Sequence, residues 1–180
     1  QNSLLQIGVQ SPYFLNALKV LGWKDVSGVD LSADNVNTLR QQGLNVTRAN
    51  AEDLRFEQGQ HNAIVLTNVI NHVPDPRKVL ASVKRGLASE NSFVLVIYCP
   101  MKSRESGQIN RPFEHTFFFS RENLRALMKD LRYDLDTAEN EQFKLWDLPM
   151  VIARRGPVSS PVQERILPGL DWGFYVTEIP

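Results

Sequence analysis

Short apolar runs alternate along this chain with segments whose apolar residues recur every three or four positions. The runs predict five strands, at residues 4–7, 26–31, 44–47, 63–66 and 93–98. The helical periodicity predicts helices that begin at Ser11-Pro12, Ser32, Pro76 and Ser120, because serine caps a helix and proline suits its first turn. Two last strands are predicted at residues 132–137 and 145–153, with no helical pattern between them.

This alternation predicts the fold class. Strand–helix repeats at this spacing imply right-handed crossovers and an α/β, doubly wound, mostly parallel sheet. The last two strands are close in sequence, so we expect an antiparallel C-terminal edge strand. Residues 1–156 form the predicted domain, and residues 157–180, rich in proline and aromatic residues, form an extended C-terminal tail.

Composition narrows the classes of function. The 180 residues contain 20 Lys+Arg and 20 Asp+Glu, so the net charge is zero and no nucleic-acid partner is expected. No apolar run has the roughly 20 residues that a membrane span needs. The single cysteine, Cys99, fits a reducing compartment, and we expect a cytoplasmic protein. Since the first residue is Gln1, a segment is expected to precede it.

The first strand and its turn carry the clearest motif. The strand ends at Gly8, a helix follows, and an acid, Asp30, stands at the end of the next strand. This is the layout of a nucleotide-binding βαβ unit, whose turn holds a cofactor and whose acid binds the ribose hydroxyls. Gln10 and Pro12 stand where close approach of the backbone to a ligand favours glycine.

The chain resembles the small-molecule branch of the class I S-adenosylmethionine-dependent methyltransferases, with a degenerate glycine-rich motif. The resemblance runs from Leu4 to Arg155 and implies a Rossmann-like sheet. Five motifs carry it in order: Leu5-Gln6-Ile7-Gly8, Gly28-Val29-Asp30-Leu31-Ser32, Asn50-Ala51-Glu52-Asp53-Leu54, residues 66–76 (LTNVINHVPDP) and residues 113–120 (FEHTFFFS).

The resemblance implies a role for each cofactor-binding position. Gly8 lies in the turn against the methionine part of S-adenosylmethionine, and Asp30 binds both ribose hydroxyls. Asn50 meets the adenine amino group with the Ala51 backbone beside it, and Asn68 borders the methyl-transfer pocket. The family usually has an acid where Gln6 stands and glycines at the positions of Gln10 and Pro12. We therefore expect cofactor binding to be weakened or absent if these two side chains fill the site.

Two histidines are candidate catalytic residues. His72 follows the fourth strand, and His115 lies with Glu114 in a long predicted loop, residues 101–119. Histidine is the natural base if an acceptor must lose its proton. The alternatives are packing at a helix start for His72 and fastening of the loop for His115. No metal is expected, because the histidines lack metal-ligand spacing.

Three functions remain open from the sequence. The first is an active methyltransferase with a small-molecule or sugar-like acceptor. The second is an inactive methyltransferase-fold domain that serves as a scaffold or partner-binding module. The tail, with Trp172 as an aromatic anchor, would then contact a protein partner or a second copy. The third is a nicotinamide-dependent dehydrogenase, which the missing glycines disfavour.

Overall fold

A seven-stranded sheet with helices on both faces forms the domain. The computed structural model describes residues 3–57, 59–98, 115–135 and 150–155. The strands are β1 Ser3–Ile7, β2 Asp25–Asp30, β3 Val46–Arg48, β4 Ala63–Thr67, β5 Phe93–Ile97, β6 Asp134–Leu135 and β7 Met150–Arg154. The helices are α1 Tyr13–Val20, α2 Ala33–Gln41, α3 Pro76–Gly86 and α4 Arg121–Asp130, with a short 3₁₀ turn at Ala51–Asp53.

The strand order confirms the predicted doubly wound sheet. The strands lie in the order β3-β2-β1-β4-β5-β7-β6, and β7 runs opposite to the other six. The predicted antiparallel pair is therefore present, with the reversed strand β7 second from the edge and the two-residue β6 outermost. The winding direction changes between β1 and β4, and ligands bind outside the carboxyl ends of the strands at such a point.

Two apolar layers cover the two faces of the sheet. In β4, Ile64 packs into the layer beneath α3 and α4, whereas Val65 packs into the layer beneath α1 and α2. Both side chains are almost fully buried. This explains the continuous apolar run of the central strands, because a parallel strand that is covered on both faces needs apolar residues at every position.

The helix starts agree with the prediction in two of the three serine cases. The hydroxyl of Ser32 accepts a hydrogen bond from Asn35 N, and that of Ser120 accepts one from Asn123 N. The prediction for Ser11 was wrong, because Pro12 occupies the cap position and makes no side-chain cap bond. The φ and ψ of Pro12, −74° and −17°, are already helical, but α1 itself begins at Tyr13, one residue later than predicted.

Two strands begin two residues later than predicted. The third strand begins at Val46 and not at residue 44. The sixth begins at Asp134, because Arg132 has a φ of +60° and forms a turn where extended backbone was predicted. The tail at residues 157–180, Cys99 and most of the predicted loop, up to residue 114, lie outside the described residues.

A buried tyrosine fastens the last part of the sheet to α3. Tyr133, directly before β6, donates its hydroxyl to the carbonyl of Leu80 at 2.8 Å. Burial raises the pKa of this hydroxyl far above its ordinary range, so Tyr133 stays neutral at physiological pH. The bond links β6 to the helix that follows β4 and thereby to the central part of the sheet.

Candidate functional site

A cleft of about 390 Å³ opens at the carboxyl ends of β1, β2 and β4. Its volume is in the range of small-molecule and cofactor sites. Apart from Ala51, the residues that line it include six from the predicted site or the turn before α1: Gly8, Gln10, Asp30, Asn50, Asn68 and His72. Ala51 also borders the cleft. Residues that are far apart in sequence therefore lie together at one edge of the sheet because of its winding.

The turn after β1 is shaped by Gly8 and Val9. Gly8 has a φ of +86°, and a Cβ built on it would lie 2.5 Å from the carbonyl oxygen of Thr67. Val9 turns inward and is fully buried beside Gly28, and the side-chain amide of Asn35 donates to the Val9 carbonyl. This anchoring by Val9 and Asn35 was missed, since neither residue belongs to a recognisable motif.

Gln10 and Pro12 occupy different positions relative to the cleft. Gln10 is exposed and borders the cleft, whereas Pro12 is not among the residues that line it. The condition for weakened cofactor binding, that both side chains fill the site, is therefore not met at Pro12. Val9 accounts for this, because its inward turn carries the chain from the cleft to the start of α1.

A buried amide lies beneath the turn. Gln6 is 4% exposed, and its Nε2 donates to the hydroxyl of Thr67 at 3.2 Å and to the carbonyl of Gly8 at 3.5 Å. Its Oε1 is buried and meets no donor among the described residues. Gln6 thus ties the end of β1 to the end of β4 and keeps one acceptor unused.

Asp30 borders the cleft from the end of β2. Its Oδ1 accepts a hydrogen bond from Ser32 N at 2.9 Å, which fixes the carboxylate before the first turn of α2. Its Oδ2 meets no donor in the part of the chain that the structure describes. The carboxylate is therefore oriented by one oxygen and can accept hydrogen bonds from a ligand with the other.

Asn50 and Ala51, which follow β3, also border the cleft. The side-chain oxygen of Asn50 accepts a hydrogen bond from Glu52 N at 3.1 Å, so Asn50 caps the short turn at Ala51–Asp53. Glu52 in turn accepts from Asp75 N, at the start of α3. The loop that carries Asn50 is thus held by the 3₁₀ turn and by α3.

Asn68 borders the cleft directly after β4, in a left-handed conformation. Its φ is +52°, which asparagine tolerates better than most residues. Its backbone N–H donates to the Ile97 carbonyl of β5 at 2.9 Å. The chain therefore turns sharply beside the cleft and carries on to His72.

The structure brings the two candidate catalytic histidines together. The ring centroids of His72 and His115 are 4.6 Å apart, with an angle of 33° between the ring planes. His72 borders the cleft and is exposed, whereas His115 is half-buried behind it and also packs on Phe118. No spacing in the sequence indicated this contact. Glu114 lies outside the described residues.

The described residues contain neither a metal-binding cluster nor a membrane-spanning helix. Within residues 3–57, 59–98, 115–135 and 150–155, no group of three His, Cys, Asp or Glu side chains could hold a metal ion. No helix in the same ranges is long and apolar enough to cross a membrane.

The residues of the cleft fit an adenosyl cofactor. The lining of the cleft includes the turn glycine Gly8 and the oriented carboxylate of Asp30. The buried acceptor of Gln6 lies beneath the turn and does not line the cleft. Among the described residues that line it, Asp30 and Glu52 are acidic and none is Lys or Arg. A ligand with a sulfonium and an ammonium group is electrostatically matched to such a lining.

Together, the strand order and the cleft define a domain of the class I methyltransferase fold. The chain belongs to a family described as "Methyltransferase domain", which matches residues 1–138. A curated relative, the peroxisomal citrate synthase of Dictyostelium discoideum, is 30% identical over 112 residues. The match covers 56% of this chain and 22% of that protein, so it spans about a fifth of this relative's length.

Solved structures share the fold at low sequence identity. One is the complex of the Haloferax volcanii Trm112 methyltransferase activator with a methyltransferase, with 14% identity and a TM-score of 0.67. It covers 87% of this chain and 83% of that one. Another is the cyclase SpnF, with 14% identity, a TM-score of 0.64 and coverage of 87% and 76%. The fold alone therefore does not fix the reaction.

Proposed function

We propose that this chain binds S-adenosylmethionine and transfers its methyl group to a small-molecule or sugar-like acceptor. The observation that carries the proposal is the open cleft at the winding point of the sheet, with the Asp30 carboxylate oriented at its rim. The neutral net charge supports an acceptor other than nucleic acid.

Five residues would hold the cofactor. Asp30 would accept hydrogen bonds from the ribose hydroxyls, and Asn50 and the Ala51 backbone would contact the adenine. Gly8 leaves room beside the turn for the methionine part, and Asn68 borders the site of transfer. When bound, S-adenosylmethionine supplies a methyl group on a sulfonium, which is already activated for displacement.

The chain would then align the acceptor and remove its proton. An O–H or N–H acceptor loses a proton as its oxygen or nitrogen bonds to the methyl carbon and the carbon–sulfur bond breaks. His72 borders the cleft and would receive this proton, with His115 stacked behind it. Such general-base catalysis contributes about 100- to 10,000-fold.

The alternative is an inactive domain that serves as a scaffold or partner-binding module. This alternative is favoured by the Gln10 side chain at the cleft, because the family that the chain resembles has glycine at this position. In this case residues 157–180 would contact a protein partner or a second copy.

Calorimetry with S-adenosylmethionine and S-adenosylhomocysteine tests the proposal. We expect micromolar binding of both, together with transfer of a labelled methyl group to one member of a panel of small hydroxyl and amine compounds. Absence of binding by folded protein would contradict the proposal and favour the scaffold. Binding without transfer across the panel would point to an inactive domain that keeps its cofactor.

The substitution Gln10→Gly should strengthen binding of S-adenosylhomocysteine about five-fold. Removing a side chain that crowds a ligand relieves roughly 1 kcal/mol, and 1.4 kcal/mol corresponds to a factor of ten. Pro12→Gly is the matched control and should leave the affinity unchanged, because Pro12 does not line the cleft. If Gln10→Gly binds no more tightly than the wild type in the same calorimetric experiment, the steric account is wrong.

A further inference from the structure

The segment that carries His115 is attached to the chain after β4 through one buried asparagine. Asn71 is fully buried, and its Nδ2 donates to the carbonyl of Phe117 at 2.9 Å. Its own carbonyl accepts hydrogen bonds from Thr116 N at 2.8 Å and from Phe117 N at 3.1 Å. Three hydrogen bonds thus join a single residue to Thr116 and Phe117.

These bonds set the position of the histidine pair. His72 directly follows Asn71, and His115 directly precedes Thr116. A fourth bond, from the Thr116 hydroxyl to the His72 carbonyl at 3.3 Å, joins the same two stretches of chain. Because both histidines are next to bonded residues, a shift of one stretch against the other would separate their rings.

We propose that Asn71 is a positioning residue for the pair of histidines, since its side-chain amide holds His115 against His72. The proposal rests on the function proposed above, in which His72 takes the acceptor's proton. The carbonyl of Phe117 needs a donor, which an amide nitrogen supplies and an apolar side chain of the same shape does not. Asn71 does not line the cleft, so it acts through the two histidines.

The test is the substitution Asn71→Leu, which has nearly the same shape and removes the donor. In the wild type we expect cross-relaxation between the ring protons of His72 and His115 in proton NMR spectra. The variant should lose this signal while its circular dichroism stays that of a folded protein. Asn37→Leu, on the exposed side of α2, is the matched control and should keep the signal.

A signal that survives in folded Asn71→Leu would overturn the proposal. If the variant does not fold, the side-chain amide protons of Asn71 in the wild type provide the test. They should exchange with solvent more slowly than those of exposed Asn37, and equal exchange would also overturn it.

Binding of S-adenosylhomocysteine separates this proposal from the proposed function. Folded Asn71→Leu should bind it as the wild type does, because the cofactor contacts lie elsewhere. If the wild type does not bind it, the proposed function fails, while the ring-proton signal still reports on the role of Asn71. With an identified acceptor, Asn71→Leu should lower kcat more than it changes KM for the cofactor.

Discussion

Replacing Asp30 with alanine is expected to weaken binding of S-adenosylhomocysteine about 30- to 150-fold. The Asp30 carboxylate borders the cleft, and its Oδ1 is fixed by the backbone N–H of Ser32. Hydrogen bonds from two ribose hydroxyls to such a carboxylate together contribute about 2–3 kcal/mol, because charge strengthens each of them. At 1.4 kcal/mol for each factor of ten, this gives the stated loss in a calorimetric titration.

Two control variants isolate the contact with the ligand. Asp30→Asn keeps an oxygen for Ser32 N and removes only the charge, so its loss should be smaller than that of Asp30→Ala. Asp34→Ala removes the same charge from an exposed site in the first turn of α2 and should leave the affinity unchanged. Equal affinities of Asp30→Ala and wild type would exclude Asp30 from the cofactor site.

The fold was predictable because its signals are local. The strands β4 and β5 are nearly continuous apolar runs, and Ser32 and Ser120 cap the helices for which they were predicted. The boundaries of strands and helices were less predictable where they depend on backbone angles that the residue types do not indicate. Nothing in the residue type of Arg132 indicates its positive φ, which delays the start of β6. Pro12 has helical φ and ψ, although α1 begins only at Tyr13.

The position of the cleft was largely predictable from the sequence. Gly8, Asp30 and Asn68 follow strands that are parallel neighbours, and the carboxyl ends of such strands meet at one edge of the sheet. Which side chains enter the cleft depends on packing. The exclusion of Pro12 follows from the inward turn of Val9, which requires the small Gly28 on the adjacent strand.

The arrangement of the two histidines was not predictable from the sequence. The contact between His72 and His115 joins two stretches of chain separated by α3 and β5, so no periodicity relates them. Asparagine is an ordinary turn residue, so the sequence does not single out Asn71. Only its full burial and its hydrogen bond to the Phe117 carbonyl indicate the proposed positioning role. Sequence patterns describe single elements, whereas this geometry arises between elements.

Replacing Gly8 with alanine should destabilise the protein by about 2–4 kcal/mol and abolish measurable cofactor binding. The φ of +86° costs an alanine roughly 1 kcal/mol. The new Cβ would lie 2.5 Å from the Thr67 carbonyl oxygen and 2.6 Å from Cγ2 of Val69, and such overpacking adds about 1–3 kcal/mol. This overlap is relieved only if the end of β4 moves, and Asn68, which borders the cleft, would move with it.

Gly43→Ala separates the two causes of the expected loss. Gly43 has a similar φ of +79°, and nothing lies within 4 Å of a Cβ built on it. Urea unfolding should therefore show a loss of about 1 kcal/mol for Gly43→Ala, with unchanged cofactor binding. Equal losses in the two variants would mean that backbone conformation alone requires glycine at residue 8. A larger loss at Gly8 would show that the close approach of β1 to the end of β4 also requires glycine at residue 8.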